Sequence, residues 1–313
     1  MKKYLQTSKF SVVCFALLTI FSALASQAQT ATPKTQPVTA VTTAFVRDEK
    51  LDSKLMARQM PYNLIVPADY DSSINKTKRF PVVYLLHGLT GHYDNWASRT
   101  KLTELSAKYQ YIFVMPEGNN GWYSDSATVP NDKYESYIVR ELIPEIDRKY
   151  RTLADRNHRV IAGLSMGGYG SLKFGLKYPE MFALVGSFSG ALQAASFTDK
   201  MLGNGWKALT DSIMSVYAAE DSATRRENDI YKLTREMSAE KMKTLPFMYF
   251  DCGTEDGLIA SNREFAALLL EKKIPHEFRQ LPGKHDWIFW NSQIKEFLEL
   301  TESRLGQTAA KVN

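Results

Sequence analysis

The sequence predicts an α/β fold in which a mostly parallel central sheet is covered by helices on both faces. Short, almost continuous apolar runs recur along the chain, as is typical of strands buried on both faces. Segments with helical spacing separate these runs, and this alternation indicates a parallel sheet with helical crossovers. The chain has 313 residues, of which 44% are hydrophobic and 23% charged, so one large domain with a sizeable core is expected.

The elements follow in chain order. Residues 58–66 end at Pro67 and suggest an early antiparallel strand. Further strands are predicted at residues 80–87, 111–115, 159–162, 182–188, 247–252 and 277–281. Helices are predicted at residues 101–109, 134–150, 167–178, 262–273 and 287–305. Pro144 falls inside the second helix and is expected to kink it.

Residues 191–245 break this rhythm. They have a helical composition and contain no strong buried strand. A helical insertion of this size after a strand is a candidate cap over an active site, and an extended crossover is the alternative.

Residues 1–28 have the three-part pattern of a secretory signal peptide. Three lysines and no acidic residue are combined with an apolar run at residues 12–24, and small residues follow. Cleavage after Ala25 or after Ala28 fits the small-residue rule, and the mature protein is then secreted or periplasmic. The apolar run is short for a transmembrane span, and an uncleaved anchor is the alternative.

The rest of the chain divides by composition. Residues 29–43 are rich in Thr, Pro and Gln without apolar periodicity, which predicts a flexible linker. The folded domain is expected to span residues 44–306, and residues 307–313 are expected to form a tail.

Charge and cysteine content narrow the possible partners. The formal net charge is +5, and the leader contributes three lysines, so the mature chain carries about +2 (5 − 3). This charge is too weak to indicate a nucleic-acid partner, and no membrane partner is expected after leader cleavage. The mature chain keeps one cysteine, Cys252, so an internal disulfide is excluded. The sequence implies no metal or organic cofactor and leaves the oligomeric state open.

The run Gly163-Leu164-Ser165-Met166-Gly167 carries the strongest chemical signal. A serine hydroxyl needs a base and an oxyanion site to act as a nucleophile, and a sharp strand-to-helix turn can present it to both. The positions two before and two after the serine must be small, and Gly163 and Gly167 satisfy this condition. Ser165 is therefore predicted to be a nucleophile; an ordinary glycine-rich turn is the alternative.

A base for Ser165 should follow it in the chain, with an acid between them. Among the five histidines, only His276 and His285 follow Ser165. His276 begins a predicted strand, whereas His285 lies in the loop after the last strand, where open α/β sheets place their chemistry. His285 is therefore the predicted base.

The orienting acid should follow the strand at residues 247–252. Asp251, Glu255 and Asp256 are all candidates there, and residue chemistry does not decide among them. Met166, the residue after the nucleophile, is the predicted first backbone donor of an oxyanion hole. The second is Leu89, in the run His87-Gly88-Leu89-Thr90-Gly91, where His87 is expected to shape the loop.

With these residues in place, the sequence resembles the esterase D / feruloyl-esterase-like branch of the α/β-hydrolases over about residues 50–300. The matching runs are YLLHG (84–88), MPEGNNGWYSD (115–125), ELIPEID (141–147), AGLSMGGYGSL (162–172), FSGAL (188–192), CGTEDGL (252–258) and GKHDWIFW (283–290). The resemblance implies an α/β-hydrolase fold and assigns the acid to Asp256. It also implies that residues 119–123, including Trp122, line the acyl or alcohol pocket.

The resemblance further implies a serine carboxylic-ester hydrolase that acts through an acyl-enzyme. Together with the leader, it suggests short-chain, acetyl or feruloyl esters of carbohydrates as small-molecule or polysaccharide substrates. The alternatives are an acyltransferase to an alcohol acceptor, a thioesterase like S-formylglutathione hydrolase, and a non-catalytic binding module. The loop after His87-Gly88 lacks the cysteine-containing stretch of the glutathione-thioester hydrolases, which disfavours the second alternative.

Overall fold

The computed structural model describes residues 45–73, 76–197 and 207–312, all within one structural unit, Val41–Asn313. The predicted leader (1–28) and the predicted linker (29–43) both lie outside the described residues, so both stay predictions. In the described part of the chain, no helix has the length and apolar character needed to span a bilayer.

An eight-stranded sheet forms the centre of the domain. The strands are β1 (Val46–Ser53), β2 (Arg58–Ile65), β3 (Val82–Leu86), β4 (Ile112–Pro116), β5 (Arg159–Leu164), β6 (Leu184–Phe188), β7 (Phe247–Gly253) and β8 (His276–Leu281). Their order across the sheet is β1-β2-β4-β3-β5-β6-β7-β8. The β1–β2 and β2–β4 pairs are antiparallel and all other pairs are parallel, which confirms the predicted mostly parallel sheet.

Helices connect the strands. They are α1 (Asn95–Arg99), α2 (Leu102–Ser106), α3 (Tyr134–Tyr137), α4 (Ile143–Lys149), α5 (Met166–Lys177), α6 (Lys207–Tyr217), α7 (Ala223–Asn228), α8 (Ile230–Arg235), α9 (Ala239–Thr244), α10 (Ile259–Glu271) and α11 (Trp287–Val312). Short 3₁₀ turns occur at Arg156–His158 and Ala194–Ser196.

Helices cover the sheet on both faces. Successive side chains of a strand point to opposite faces, and because a strand such as β3 is apolar throughout, both of its faces must be buried. In β3, Val82, Tyr84 and Leu86 pack into one hydrophobic cluster, whereas Val83 and Leu85 pack into a second. The first cluster takes apolar side chains from α3–α6, α8 and α10, and the second takes them from α1, α2 and α11. This arrangement confirms the predicted layers and explains why β3 is apolar at every position.

The predicted disturbance at Pro144 takes the form of a π-helical turn. Residues Ile138–Leu142 form this turn between α3 and α4, and Pro144 lies at the start of α4. Proline has no N–H and its ring clashes with the carbonyl four residues earlier, so a wider turn accommodates it within one continuous helical run. At the other end of the domain, α11 continues past residue 305, where the pattern predicted its end, into the predicted tail at 307–313.

The insertion between β6 and β7 is helical, as predicted, and consists of α6–α9 with the preceding 3₁₀ turn. Arg225 of α7 is buried and donates to the carbonyls of Ala195 and Phe197, at 3.0 and 2.8 Å. The Trp122 indole N–H donates to Ser212 Oγ of α6 at 3.1 Å. The Arg225 bonds hold parts of the insertion together, and the Trp122 bond ties the insertion to the loop that follows β4.

Candidate active site

The predicted site residues lie at one edge of the sheet. The carboxyl ends of parallel strands meet at the same edge, and ligands of open α/β sheets bind there. Leu89 follows β3, Ser165 follows β5, Asp256 follows β7 and His285 follows β8. Four loops far apart in sequence therefore contribute to one place.

Ser165 occupies a strained turn between β5 and α5. Its backbone angles are φ 53° and ψ −114°, an unusual conformation for a residue with a side chain. Its N–H donates to the Phe188 carbonyl at 2.9 Å, and its own carbonyl accepts from Tyr169 and Ala191 at 3.0 Å each. These bonds hold the turn and let the hydroxyl project from the end of β5.

The two flanking glycines are required by backbone contacts. A Cβ atom on Gly163 would lie 2.4 Å from the Gly167 backbone, and one on Gly167 would lie 2.4 Å from the Leu86 carbonyl oxygen. Neither contact could be relieved by rotating a side chain, because both involve main-chain atoms. The sequence argument for small residues at these positions therefore has a visible steric basis.

The side chains of Ser165, His285 and Asp256 form one row of hydrogen bonds. His285 Nε2 lies 3.0 Å from Ser165 Oγ, and His285 Nδ1 lies 2.8 Å from Asp256 Oδ2. The Trp290 ring packs against the His285 ring at nearly a right angle, with 4.9 Å between centroids, which restricts the orientation of the imidazole.

Asp256 is the one candidate acid that contacts His285 among the described residues. Its side chain is nearly fully buried, and its second oxygen accepts from Leu258 N–H at 2.8 Å. Burial opposes ionisation, but the hydrogen bonds from His285 and Leu258 outweigh it and lower the pKa of Asp256 below its ordinary value. The carboxylate therefore stays charged opposite the imidazole.

The other candidates face elsewhere. Glu255 is exposed and its carboxylate lies 3.8 Å from Lys284. Asp251 is fully buried and accepts from the Tyr249 hydroxyl at 2.8 Å, and burial raises the pKa of Asp251 well above its ordinary value. His276 Nδ1 lies 2.8 Å from the Ile274 carbonyl, so this ring is engaged at the start of β8.

His87 fixes the loop that carries Leu89. Its Nδ1 lies 2.8 Å from the Gly88 carbonyl oxygen, which can only accept, so Nδ1 carries the proton. Its Nε2 is then free to accept from Gly118 N–H at 2.9 Å. Nε2 also lies 3.2 Å from a Glu117 oxygen, but a nitrogen that accepts from Gly118 has no proton to give to that carboxylate.

This tautomer orients the Gly88–Leu89 peptide. The Gly88 carbonyl accepts from both His87 and Gly91 N–H, and in a trans peptide the following N–H points the opposite way. A methyl group on Gly88 would lie 3.4 Å from Ser165 Cβ, so this peptide is next to the serine. Within the described ranges, neither the Leu89 nor the Met166 N–H has an acceptor, and both are free to bind an oxyanion.

Glu117 supports the same loop and was not found from the sequence. Its carboxylate accepts from the N–H groups of Asn119 and Tyr93, at 2.5 and 3.4 Å, and contacts His92 Nδ1 at 3.1 Å. Burial opposes ionisation, but the hydrogen bonds from the Asn119 N–H and from His92 favour the charged form and hold the pKa of Glu117 below its ordinary value. The charged carboxylate thus joins the loops after β3 and β4. It lies in the matched run MPEGNNG, which was its only signal.

A cavity of about 750 Å³ opens onto Ser165 and His285. Its polar and aromatic lining includes Thr90, Asn95, Arg99, Asp286 and Trp287, and its apolar lining includes Leu89, Trp122, Leu164, Ala191, Phe197, Leu209, Leu258 and Trp290. Trp122 thus lies in the pocket wall, as the resemblance implied, and the segment 191–245 contributes part of that wall. The volume is in the range of small-molecule sites.

Metal ions in proteins are bound by groups of His, Cys, Asp and Glu side chains. No cluster of three such side chains that could hold a metal ion occurs among the described residues. Cys252 lies buried in β7 with a free thiol, and burial raises its pKa above the ordinary value.

An eight-stranded, mostly parallel sheet with a strand-to-helix serine turn at its carboxyl edge defines the α/β-hydrolase fold. Within that fold class, the chain belongs to the putative esterase family, whose model matches residues 53–300. This confirms the resemblance to esterases that the sequence motifs indicate.

Individual relatives agree with the family. The chain is 30% identical to an acetyl esterase of Caldicellulosiruptor saccharolyticus over 254 residues, which are 79% of this chain and 94% of that protein. It is 32% identical to an esterase of Mycobacterium tuberculosis over 240 residues, which are 71% of this chain and 52% of that protein. A solved ferulic acid esterase matches with a TM-score of 0.71 at 27% identity, over 84% of this chain and 99% of that one. The protein is a carboxylic ester hydrolase.

Proposed function

We propose that the protein is an exported serine esterase that uses Ser165, His285 and Asp256 as a catalytic triad and forms an acyl-enzyme. The observation that carries this proposal is the continuous row of hydrogen bonds from Ser165 Oγ through the His285 ring to Asp256. A nucleophile and base within hydrogen-bond reach, with the base oriented by a third group, is the arrangement that activates a serine.

In the first step Ser165 Oγ attacks the ester carbonyl carbon while its proton passes to His285 Nε2. The imidazole then carries a positive charge, which the Asp256 carboxylate stabilises through the bond to Nδ1–H. Because the hydrogen bonds to Asp256 lower its pKa, the carboxylate is ionised whenever His285 must accept a proton.

The carbonyl oxygen becomes an oxyanion in this step. The N–H groups of Leu89 and Met166 donate to it, and the N-terminus of α5 adds a favourable partial positive charge. His87 holds the Gly88–Leu89 peptide in the donating orientation before the substrate arrives, so no reorganisation is needed at the transition state.

Collapse of the tetrahedral state breaks the ester C–O bond. His285 Nε2–H protonates the leaving alcohol oxygen, which departs and leaves the acyl group on Ser165. Water then attacks the acyl-enzyme with His285 again as base, and the acid product and free Ser165 result. These steps need no cofactor.

As substrates we propose short-chain, acetyl or feruloyl esters of carbohydrates. The relatives that support this choice are described as an acetyl esterase and a ferulic acid esterase. A cavity of about 750 Å³ is large enough for either acyl group together with a sugar ring. The signal-peptide pattern at residues 1–28 supports a substrate outside the cytoplasm.

The test is an ester panel with wild type and Ser165→Ala, comprising p-nitrophenyl acyl esters, acetylated xylan and methyl ferulate. We expect hydrolysis by wild type, loss of activity in the variant, and labelling of Ser165 by a fluorophosphonate probe. Equal rates in the two proteins would sink the mechanism. Acyl transfer to added sugars in place of hydrolysis, preference for S-formylglutathione, or absence of both labelling and turnover would support the acyltransferase, thioesterase and binding-module alternatives, respectively.

A further inference from the structure

The cavity contains an arginine next to a tryptophan, Arg99 and Trp287, and the esterase mechanism uses neither of them. The Arg99 guanidinium lies 5.8 Å from the centre of the Trp287 ring, and both side chains line the cavity that holds Ser165. We infer that Trp287 and Arg99 form a subsite for the alcohol half of the ester, and that this alcohol is a saccharide ring that carries a carboxylate. The inference rests on the proposed function and names its substrate class more narrowly.

Arg99 is available for a ligand. Its side chain is exposed, and among the described residues its guanidinium has no hydrogen-bond or ion-pair partner. The distance of 5.8 Å also differs from the close stacking of Arg151 on Tyr70 at 3.8 Å. Arg99 therefore lies over the indole ring without stacking closely on it, and its N–H donors remain open to a planar anion such as a carboxylate.

Trp287 is a fixed platform. Its ring is half-buried and packs edge to face on Trp96 and Trp290, with centroid distances of 5.9 and 5.2 Å. Two such contacts restrict the ring while part of its surface stays exposed to the cavity. An amphipathic aromatic surface beside polar groups suits a sugar ring, which has apolar C–H faces and polar edges.

The contacts place this subsite on the leaving-group side. Trp287 packs against Trp290, and Trp290 packs against the His285 ring. His285 must protonate the departing alcohol oxygen, so that alcohol lies on the His285 side of Ser165. The group that reaches Trp287 and Arg99 is therefore the alcohol half of the ester, and the acyl half lies away from them.

The acidic side chains of the cavity are already engaged. Asp286 Oδ1 accepts from Phe289 N–H at 3.0 Å, at the N-terminus of α11, where the helix dipole favours negative charge. Asp256 is bound to His285. Neither Asp286 nor Asp256 pairs with Arg99 within the described ranges, which leaves the arginine to select a ligand anion.

The test compares two acetate esters that differ by one charge, 4-acetoxybenzoate and its neutral isostere 4-acetoxybenzamide. Both offer an aromatic ring to Trp287, and only the first offers a carboxylate to Arg99. We expect the ratio of kcat/KM for the anion over the amide to fall about three- to tenfold in Arg99→Gln, because an ion pair at a partly exposed site is lost. The ratio should be retained in Arg99→Lys and should fall in wild type as salt is raised.

Lys101→Gln is the matched control, because it removes the same charge two residues away from a side chain outside the cavity lining. An unchanged ratio in Arg99→Gln, or an equal fall in Lys101→Gln, would overturn the inference. A charge preference seen only when the carboxylate is on the acyl half, as in 4-nitrophenyl hemisuccinate against 4-nitrophenyl butyrate, would also overturn it.

Saccharide substrates extend the comparison. Monoacetylated methyl glucuronoside and methyl glucoside, acetylated at the same hydroxyl, should show the same Arg99-dependent preference for the anion. Trp287→Leu should raise KM for both sugars, and an unchanged KM would remove the ring platform from the proposal. Failure of the proposed function can be distinguished from failure of this inference. If the proposed function is wrong, the acetate ester 4-acetoxybenzamide, which carries no charge, will also show no Ser165-dependent hydrolysis.

Discussion

His87 acts through the position of a single proton. With the proton on Nδ1, the ring donates to the Gly88 carbonyl, and in the proposed mechanism this bond keeps the Leu89 N–H of the same peptide available to the oxyanion. A reversed peptide would present a carbonyl oxygen to the developing oxyanion, which would repel it. In the proposed mechanism His87 is thus a positioning residue, because its ring bonds the Gly88 carbonyl and the Gly118 N–H and acts through the Gly88–Leu89 peptide.

We expect His87→Ala to lower kcat about 10²- to 10³-fold with little change in KM, since the loss resembles removal of one oxyanion donor. Steady-state kinetics on p-nitrophenyl acetate measure both constants. His92→Ala is the control, because His92 is 62% exposed and contacts the same Glu117 carboxylate without touching Gly88. Similar losses in the two variants would contradict the role of the Nδ1 proton.

Asp256 and Glu255 provide a second comparison within one turn. Asp256→Asn should reduce kcat by about 10⁴-fold, because an amide cannot stabilise the imidazolium and can favour the wrong tautomer. Glu255→Gln should leave kcat close to wild type, since the carboxylate faces Lys284. A large loss in Glu255→Gln would show that the acid has been misassigned.

Single residues differed in how well the sequence predicted them. The turn at Ser165 was predictable because it needs glycines at fixed spacing, which is a local steric demand. Asp256 was not separable from Glu255 by chemistry alone, because the direction of adjacent turn side chains depends on the fold. The contact of Arg99 with Trp287 joins residues far apart in the chain, so no local pattern could reveal it.

At the scale of elements, α5 begins directly after Ser165 and carries the buried Lys173 further along. Lys173 donates to the Tyr123 carbonyl at 2.7 Å and pairs with Glu135 of α3 at 2.9 Å. Trp122 and Tyr123 both have φ near 50°, a left-handed conformation that costs free energy for residues with side chains. The bond from Lys173 therefore stabilises the strained turn at Trp122 and Tyr123, which forms part of the cavity wall.

The buried carboxylate of Glu135 makes the free energy of unfolding depend on pH in the acid range. Burial opposes ionisation of Glu135, but Lys173 and Lys177 lower its pKa from 4.5 to about 2. The unfolded chain therefore binds a proton near pH 4.5 that the folded chain binds only near pH 2. The stabilisation is present above pH 4.5 and is lost as pH falls from there through 2.

Glu135→Gln should lower the free energy of unfolding by about 3–5 kcal/mol at neutral pH, because it leaves Lys173 buried without its carboxylate. Urea unfolding at several pH values measures this, and the difference from wild type should shrink below pH 4.5. Glu145→Gln is the control, since its pair with Arg148 is exposed and should contribute about 0–1 kcal/mol. A loss in Glu135→Gln no larger than in Glu145→Gln would contradict the assignment.

Element boundaries followed the sequence pattern where one signal dominated. The buried strands were predictable because both faces demand apolar residues. The π turn at Ile138–Leu142 was not, because a proline signals a disturbance without specifying whether the helix kinks, ends or widens. The helix predicted at residues 287–305 was too short, because the apolar pattern ends there whereas the residues that follow include good helix formers and continue α11.

At the scale of the whole molecule, the topology explains how a site can be assembled from four distant loops. Parallel crossovers return every loop after β3, β5, β7 and β8 to the same edge. The proposed nucleophile, acid and base, which follow in that order along the chain, therefore lie close together in space. This relation is general to the fold, which is why chain order selected a histidine, His285, that lies within hydrogen-bond distance of Ser165.

The leader gives a prediction for the whole chain. Expressed with residues 1–28 in a bacterial host that has a secretion pathway, the protein should be found outside the cytoplasm with a new N-terminus at Ser26 or Gln29. Cell fractionation and N-terminal mass spectrometry measure both. A variant that lacks residues 2–28 should stay in the cytoplasm, and the same location for both proteins would contradict the signal peptide.

Cys252 has a practical consequence for following ligands in solution. Outside residues 1–28 it is the single cysteine of the chain, and its thiol is buried with a raised pKa, which makes it unreactive toward alkylating dyes. Ile288, close to His285 in the chain, is 83% exposed. A cysteine introduced at that position would be the one accessible thiol among residues 29–313, and we expect a fluorophore attached there to report the binding of the proposed saccharide esters beside Trp287.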